Sequence, residues 1–405
     1  MNFGSVRLRR TALRDLALVA VALIALAVVS VVKGTDSASG SGDSPWVFVS
    51  IPDFLNADVA NPDEQWDDVL DYTLDRVEEE QPDFVLVPGD LVLGEWSNDP
   101  ETISRQAAIF YSAWKQRFEE HDLTFYPLLG DHEIGDNPWP AEKAQAVPAY
   151  KRAFRENFEL PDNGPSDEQW VAYSVRHKNL LLVALDAFGS TDERVSVGVA
   201  GTQLEWATET FASREANEHL IVSSHVPILS GARARNSSRI RLPGGAGTPI
   251  WEAITQAGTD LYLAGELHDA SAQEKDGVLQ IVHGSAPAFI PEINYLVAKV
   301  YPDRIETELK AIRLTLDEDA VVTDDPAMPP GSAENLPQAA ISPDIRQSGP
   351  QSLGGVTVRS TPEGHEYANR SGYFDSRYRN FDGSAPSDDA APTGSDDTTT
   401  NGDAP

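Results

Sequence analysis

Phe84-Val85-Leu86-Val87-Pro88-Gly89-Asp90 is a short apolar run that stops at a Pro-Gly turn signal and delivers an aspartate. Such a run, bounded by turn residues, reads as a strand buried on both faces. The same grammar recurs along the chain. Trp46 to Ile51 is followed by Asp53, Thr124 to Leu128 by Asp131 and His132, His219 to Ser223 by His225, and Asp260 to Leu263 by His268. Helical-period stretches from Gln65 to Val77 and from Thr102 to Phe118 separate the first three strands, and Gln203 to Phe211 and Pro249 to Gln256 precede the last two. Strands alternating with helices predict a parallel sheet, and in open α/β sheets the carboxyl ends of the strands converge on one crevice. Aspartates and histidines arriving there from five strand ends suit a cluster of two or more cations.

Farther out the pattern changes. Trp170 to Val175 and Leu180 to Leu185 flank Arg176-His177-Lys178-Asn179 and predict a hairpin. Val278 to Val282, Tyr295 to Val300 and Arg304 to Arg313 are strand-like with no helix between them, which predicts a second, more antiparallel sheet. Apolar periodicity ends near Leu316, so the folded domain is expected over 46–316 and an acidic, mainly disordered tail over 317–405, with Tyr367 to Phe381 the stretch whose aromatics suit docking. At the other end Arg7, Arg9, Arg10 and Arg14 precede an uncharged apolar run from Leu16 to Val32, and residues 34–45 read as a flexible stalk. The run is long enough to span a bilayer, and basic residues ahead of it predict a cytoplasmic start. An uncleaved anchor is expected over 1–33, with an export signal as the alternative, so the domain is expected to be extracytoplasmic or secreted. Arg9-Arg10-Thr11-Ala12-Leu13 resembles a twin-arginine export signal, with Ala12 a poor match.

Composition excludes several classes. The 405 residues suit one large domain with tails. Acidic residues outnumber basic ones 64 to 31, a formal charge of -33, which removes electrostatic support for nucleic-acid binding. The absence of cysteine removes disulfides, thiolate nucleophiles and Cys-type zinc sites.

The segments Asp53-Phe54-Leu55, Gly89-Asp90, Gly130-Asp131-His132-Glu133, His225 with Pro227, and Gly265-Glu266-Leu267-His268 resemble the five ordered blocks of calcineurin-like metallophosphoesterases, the superfamily that includes purple acid phosphatases. Each block alone is weak, and a lone Gly-Asp is ordinarily a turn; five in order after strands carry the signal. The resemblance implies a four-layer α/β/β/α sandwich of two mixed sheets and two divalent metal ions bridged by Asp90 and by water. It implies that Asp53 and His268 hold the first metal, that Asp131, His225 and Glu266 hold the second, and that His132 faces the leaving group of a small phosphorylated substrate. Hydrolysis would use an activated water and no protein nucleophile.

The chain departs from the family pattern at several places. Leu55 stands where a histidine is usual, and Asn56 or Asp58 is a candidate to fill the gap; Leu93 stands where the purple enzymes carry a tyrosine. Asp131 replaces an asparagine and Glu266 a histidine, so four carboxylates face two cations. That set favours Mn, Fe or Mg over Zn, and without metal at least one carboxyl is expected to take up a proton. His121, His177, His219, His283 and His365 match no block and read as structural or surface residues, His283 being the one nearest a strand end that could approach the site. Residues 135–139 are expected as a loop at the crevice mouth, with Trp139 in contact with substrate or packing the loop, and the loops Asn137 to Val147 and Gly231 to Gly247 are expected to set specificity. Two competing functions remain open at this level: a catalytically inactive surface binding or structural relative, and a calcium-stabilised adhesive domain.

Overall fold

The alternation of apolar runs and helices is realised from the first strand. β1 (Trp46–Ser50), α1 (Glu64–Glu79), β2 (Phe84–Val87), α2 (Pro100–Glu120) and β3 (Phe125–Pro127) follow one another, and α3 (Ala141–Phe158) comes next. β4 (Tyr173–His177) and β5 (Leu180–Ala184) form the expected hairpin, and β6 (Phe188–Ser190) and β7 (Val195–Val197) a small ribbon. Then come α4 (Gly201–Ala212), β8 (His219–Ser223), α5 (Pro249–Gln256), β9 (Leu261–Ala264), β10 (Ser271–Lys275), β11 (Val278–Val282), β12 (Glu292–Val300) and β13 (Arg304–Val321). β14 (Pro337–Ile341), α6 (Pro343–Ser348), β15 (Gln351–Thr361) and β16 (Gly364–Ala368) complete the order. The structure is a computed structural model that describes residues 44–375 apart from 56–58, 61, 63, 168–170, 231–233, 288–289, 322–336 and 362–363. The N-terminal apolar run, Asn56 and Asp58 lie outside these residues, and among the described residues no helix is long and apolar enough to cross a membrane.

Helix starts follow local chemistry. Asp99 caps α2 by accepting from Thr102 N at 2.8 Å with Pro100 in the first turn, and Thr248 caps α5 ahead of Pro249. α3 falls where the sequence suggested a loop through Val147. Pro148 inside it obscures the helical pattern, yet Ala144, Val147, Tyr150, Lys151 and Phe154 form one buried face.

Two sheets pack face to face. The first has the order β16-β15-β13-β12-β1-β2-β3 with β14 on β13, and the second the order β10-β11-β9-β8-β5-β4. β1, β2 and β3 are parallel, as are β5, β8, β9 and β11. Between the sheets lie Phe48, Phe84, Leu86, Leu182, Ile221, Leu263, Ile281 and Leu296. The outer face of the first sheet packs on α1, α2 and α3 through residues such as Trp66, Leu70, Phe110 and Trp114, and that of the second on α4 and α5 through Phe211, Trp251 and Ile254. The fold is a four-layer α/β/β/α sandwich of two mixed sheets, as expected.

The late strands correct the reading in two ways. They do not form a separate sheet: β11 joins the second sheet parallel to β9, while β12 adds antiparallel to the free side of β1. The tail is also not disordered throughout. β13 runs on past Leu316, and β14, α6, β15 and β16 extend the first sheet. The segment has few apolar residues, but they are placed where they bury: Ile345, Val358 and Phe374 are at 0% exposure. Its polar side chains are tied as well. Ser360 Oγ donates to the buried Asp260 at 2.6 Å, His365 Nε2 lies 3.4 Å from the same carboxylate, and Tyr72 Oη donates to Ile345 O at 3.0 Å. Phe374→Ala should therefore cost about 3–5 kcal/mol in urea unfolding, the usual range for emptying a buried aromatic site. A loss under about 0.5 kcal/mol would mean that this segment does not pack on the domain.

Candidate metal centre

Asp53, Asp90, Asp131, His225, Glu266 and His268 come from loops at the carboxyl ends of β1, β2, β3, β8 and β9 and meet in one buried place. Ligand atoms of Asp53, Asp90 and His268 lie within 4.8 Å of one another, and so do those of Asp90, Asp131 and His225. Asp90 belongs to both groups. His225 Nε2 stands 3.0 Å from Asp131 Oδ1, 3.3 Å from Glu266 Oε2 and 3.4 Å from Asp90 Oδ2, so Glu266 also faces the second group.

Each carboxylate has one oxygen fixed by a protein donor and the other turned inward. Asp53 Oδ1 accepts from Glu266 N at 3.0 Å, while Asp53 Oδ2 is buried with no hydrogen-bond partner. Asp90 Oδ1 accepts from His132 N at 3.2 Å. Asp131 Oδ2 accepts from Asn137 Nδ2 at 3.2 Å. Glu266 Oε1 accepts from Ser237 Oγ at 2.9 Å, Ser238 Oγ at 3.1 Å and Ile240 N at 2.8 Å.

The imidazoles follow a matching rule. Carbonyl oxygens can only accept, so a ring nitrogen facing one carries the proton. His225 Nδ1 donates to Pro88 O at 2.8 Å, His268 Nδ1 to Asn236 O at 2.9 Å and Arg235 O at 3.1 Å, and His132 Nδ1 to Leu93 O at 2.8 Å. Nε2 is left toward the site in each case; for His225 and His268 this is the arrangement in which an outer hydrogen bond orients a ring toward a metal.

The supporting backbone is unusual. Asp53, Leu55, Asp90, Glu266 and His268 all adopt left-handed conformations, with φ of 60°, 43°, 59°, 71° and 52°. Non-glycine residues rarely do so, and clusters of them mark sites held by surrounding structure. Glu133 does much of the holding. Fully buried, it accepts from Asp90 N, Leu91 N and Gly130 N, each at 2.8 Å, and so ties the loop after β2 to the loop after β3. Gly130 is required there, because a Cβ would lie 2.1 Å from Asp90 Oδ1.

Burial dominates the electrostatics. It pushes the Asp53 carboxyl up to about 7 against the pull of His225, and it raises Asp90 well above the ordinary range. Asp131 runs the other way: burial opposes ionisation, but its hydrogen bond to His225 and the His132 charge hold it ionised. For His132, burial disfavours the charged ring, yet Asp90, Asp131 and Asp136 outweigh it and raise the group to about 10. Burial together with the neighbouring imidazoles brings His268 down to about 4, leaving it neutral. Raised carboxyls and an inward oxygen without a partner are what a group of cation ligands presents without its cations.

Three groups that the sequence reading left without a role matter here: Glu133, Asn137 and Asp136, whose Oδ1 lies 3.7 Å from His132 Nε2. Only their closeness to the Asp131-His132 block signalled them. Leu55 is buried and gives the site only its N–H, to Asp90 O at 3.0 Å, so its side chain replaces no ligand. Leu93 contributes its carbonyl to His132. His283 Nε2 pairs with Ser50 Oγ at 3.0 Å and belongs to neither ligand group, while Trp139 packs edge-on against Phe188 in the loop after His132.

The sequence model for calcineurin-like phosphoesterases matches residues 57–270. No curated protein matches the chain. Among solved structures, a purple acid phosphatase from yellow lupin aligns at 13% identity over 66% of this chain and 51% of its own, with a TM-score of 0.48, so the chain spans about half of that enzyme's length. GAP50 of Plasmodium, described as the anchor in the inner membrane complex, aligns at 15% identity over 66% of this chain and 85% of its own, with a TM-score of 0.41. With the family match covering more than half of the sequence, the chain belongs to the calcineurin-like phosphoesterases.

Proposed function

We propose that this chain hydrolyses phosphoester bonds with two divalent cations, the first held by Asp53, Asp90 and His268 and the second by Asp90, Asp131, His225 and Glu266. The observation that carries the reading is the sharing of Asp90 between two ligand groups beside an imidazole in neither of them. Two cations in such a site neutralise the phosphoryl oxygens and lower the pKa of water. The protein's part is to orient and to supply a proton. The carboxylates around His132 favour the charged ring, its Nδ1 is committed to Leu93 O, and its Nε2 proton would pass to the leaving alkoxide as water bonds to phosphorus and the ester P–O bond breaks. Asp136, which lies in neither ligand group, adds to the pull of Asp90 and Asp131 on the ring.

Because the pocket has four carboxylates, it suits hard cations such as Mn, Fe or Mg better than Zn. The first group has only three protein donors among the described residues, since Leu55 is apolar. That deficit favours the second reading, a relative that binds at its surface without turnover; His132 with its dedicated backbone acceptor and acidic neighbour favours the enzyme. The apolar run Leu16 to Val32 behind four arginines supports a domain held at the outer face of a membrane.

His132→Ala should lower kcat by about 100-fold to 10,000-fold, the range for a lost general acid, with metal content unchanged; Asp90→Asn should lose bound metal itself. Equal kcat for wild type and His132→Ala on an alkyl phosphate would remove the acid role. Metal analysis of protein purified without added metal should find Mn, Fe or Mg, and stoichiometric zinc with no gain from added manganese would overturn the metal assignment.

Calorimetry supplies the pH test. At pH 6 the folded, metal-free site retains the Asp53 proton, because burial has raised that group to about 7, and a cation must displace it. At pH 8 the proton is already gone. Mn binding should therefore release roughly one proton more at pH 6 than at pH 8, read from the buffer dependence of the enthalpy. Equal release at the two pH values would place Asp53 outside the ligand set.

A further inference from the structure

Residues 234–242 run along the metal centre and touch both halves of it. Arg235 O and Asn236 O accept from His268 Nδ1, and Ser237, Ser238 and Ile240 donate to Glu266 Oε1. Arg239 lies between two of those donors. Since Ile240 N is 2.8 Å from Glu266 Oε1, ordinary backbone dimensions put the Arg239 Cα within roughly 5 Å of that oxygen. The residue is exposed. An extended arginine side chain is long enough to reach from there to a substrate seated on the cations.

Two features bear on this arginine. Its backbone is left-handed, with φ of 61°, a conformation that glycine adopts without strain and arginine does not. Any advantage at this position therefore comes from the side chain. Among the described residues it also has no carboxylate partner, as is true of Arg105, Arg152 and Arg194. The chain has 64 acidic residues for 31 basic ones, and Arg176, Arg304, Arg313, Arg346 and Arg370 all sit in ion pairs. Among the described residues neither Arg239 nor Arg241 pairs with a carboxylate; Arg241 donates to Ser230 Oγ at 2.7 Å. A formal charge of -33 repels an anionic substrate, but salt screens it beyond about 8 Å, so the groups at the rim decide what enters.

We propose that Arg239, supported by Arg241, is an anion subsite at the mouth of the metal centre, and that the substrate is a phosphate ester or anhydride carrying a second anionic group next to the scissile phosphoryl. A guanidinium fork holds a phosphate through two parallel N–H bonds, which lysine cannot reproduce. This assignment rests on the phosphoesterase reading, and the test separates the two.

The full chain with Mn is assayed on ADP, pyrophosphate and p-nitrophenyl phosphate, as wild type, Arg239→Gly, Arg239→Lys and Arg239→Gly with Arg241→Ala. Glycine is chosen because it relieves the left-handed backbone, so Arg239→Gly should melt no lower than wild type. The preference for ADP and pyrophosphate over p-nitrophenyl phosphate, as a ratio of kcat/KM, should fall roughly tenfold or more in Arg239→Gly, further in the double variant and less in Arg239→Lys, through KM. An unchanged ratio overturns the subsite. ADP against pyrophosphate tells whether the second group is recognised with or without a nucleoside attached. Imidodiphosphate, whose bridge resists hydrolysis, is titrated by calorimetry into the same proteins, with roughly tenfold weaker binding expected in Arg239→Gly. Equal binding overturns the subsite even if nothing is turned over; absence of turnover with weakened binding overturns the enzyme reading alone.

Discussion

Four carboxylates shut away from water in one pocket repel one another, and the rest of the site is arranged around that constraint. Desolvation penalises each charge, and neighbours of like sign add to the penalty. The chain answers by giving each carboxylate one oxygen a fixed donor and leaving the other inward: Glu266 N for Asp53, His132 N for Asp90, Asn137 Nδ2 for Asp131, and two serine hydroxyls with Ile240 N for Glu266. What remains is a concave set of acceptors with no protein partner for Asp53 Oδ2. Cations complete such a set, and the phosphoesterase family supplies the chemistry that uses them.

Holding that set strains the backbone. Left-handed residues at Asp53, Asp90, Glu266 and His268 each cost on the order of 1 kcal/mol or more relative to a relaxed conformation. They persist because the loops are cross-tied. Asp53 N donates to Gly89 O at 3.2 Å, Leu55 N to Asp90 O at 3.0 Å and Ala286 N to Asp53 O at 3.0 Å, and Glu133 gathers three further N–H groups. The cross-ties hang on strands whose side chains are buried on both faces, so the loops inherit a rigid base. The C-terminal segment adds to that base at a distance, by lengthening the first sheet and by tying Ser360 and His365 to the buried Asp260 near the start of β9.

The departures from the family pattern acquire physical content in this frame. Glu266 and Asp131 place negative charge where neutral groups are usual, and each is matched by donors that a neutral ligand would not need. Leu55 and Leu93 bring no polar side chain but contribute their backbone, an N–H to Asp90 O and a carbonyl to His132. The loop that supports Glu266 is also the one that presents Arg239, so the added carboxylate and the rim arginine belong to one local arrangement.

The architecture and the identity of the inward-facing groups were legible in the sequence, because short apolar runs ending in Gly-Asp or His mark strand ends and strand ends converge. The sequence by itself determined which residue types reach the crevice: Asp53, Asp90, Asp131, His132, His225, Glu266 and His268. Where β12 and the C-terminal strands pair was not legible, since an apolar strand is equally content on any free edge and only the open side of β1 and the face of α1 decide it. Nor were the roles of Glu133, Asn137 and Asp136, or the lack of a carboxylate beside Arg239 among the described residues, which depend on distances between loops. Local pattern follows from local chemistry; hydrogen-bond partners and ion pairs are set by packing, and only the tertiary structure fixes them.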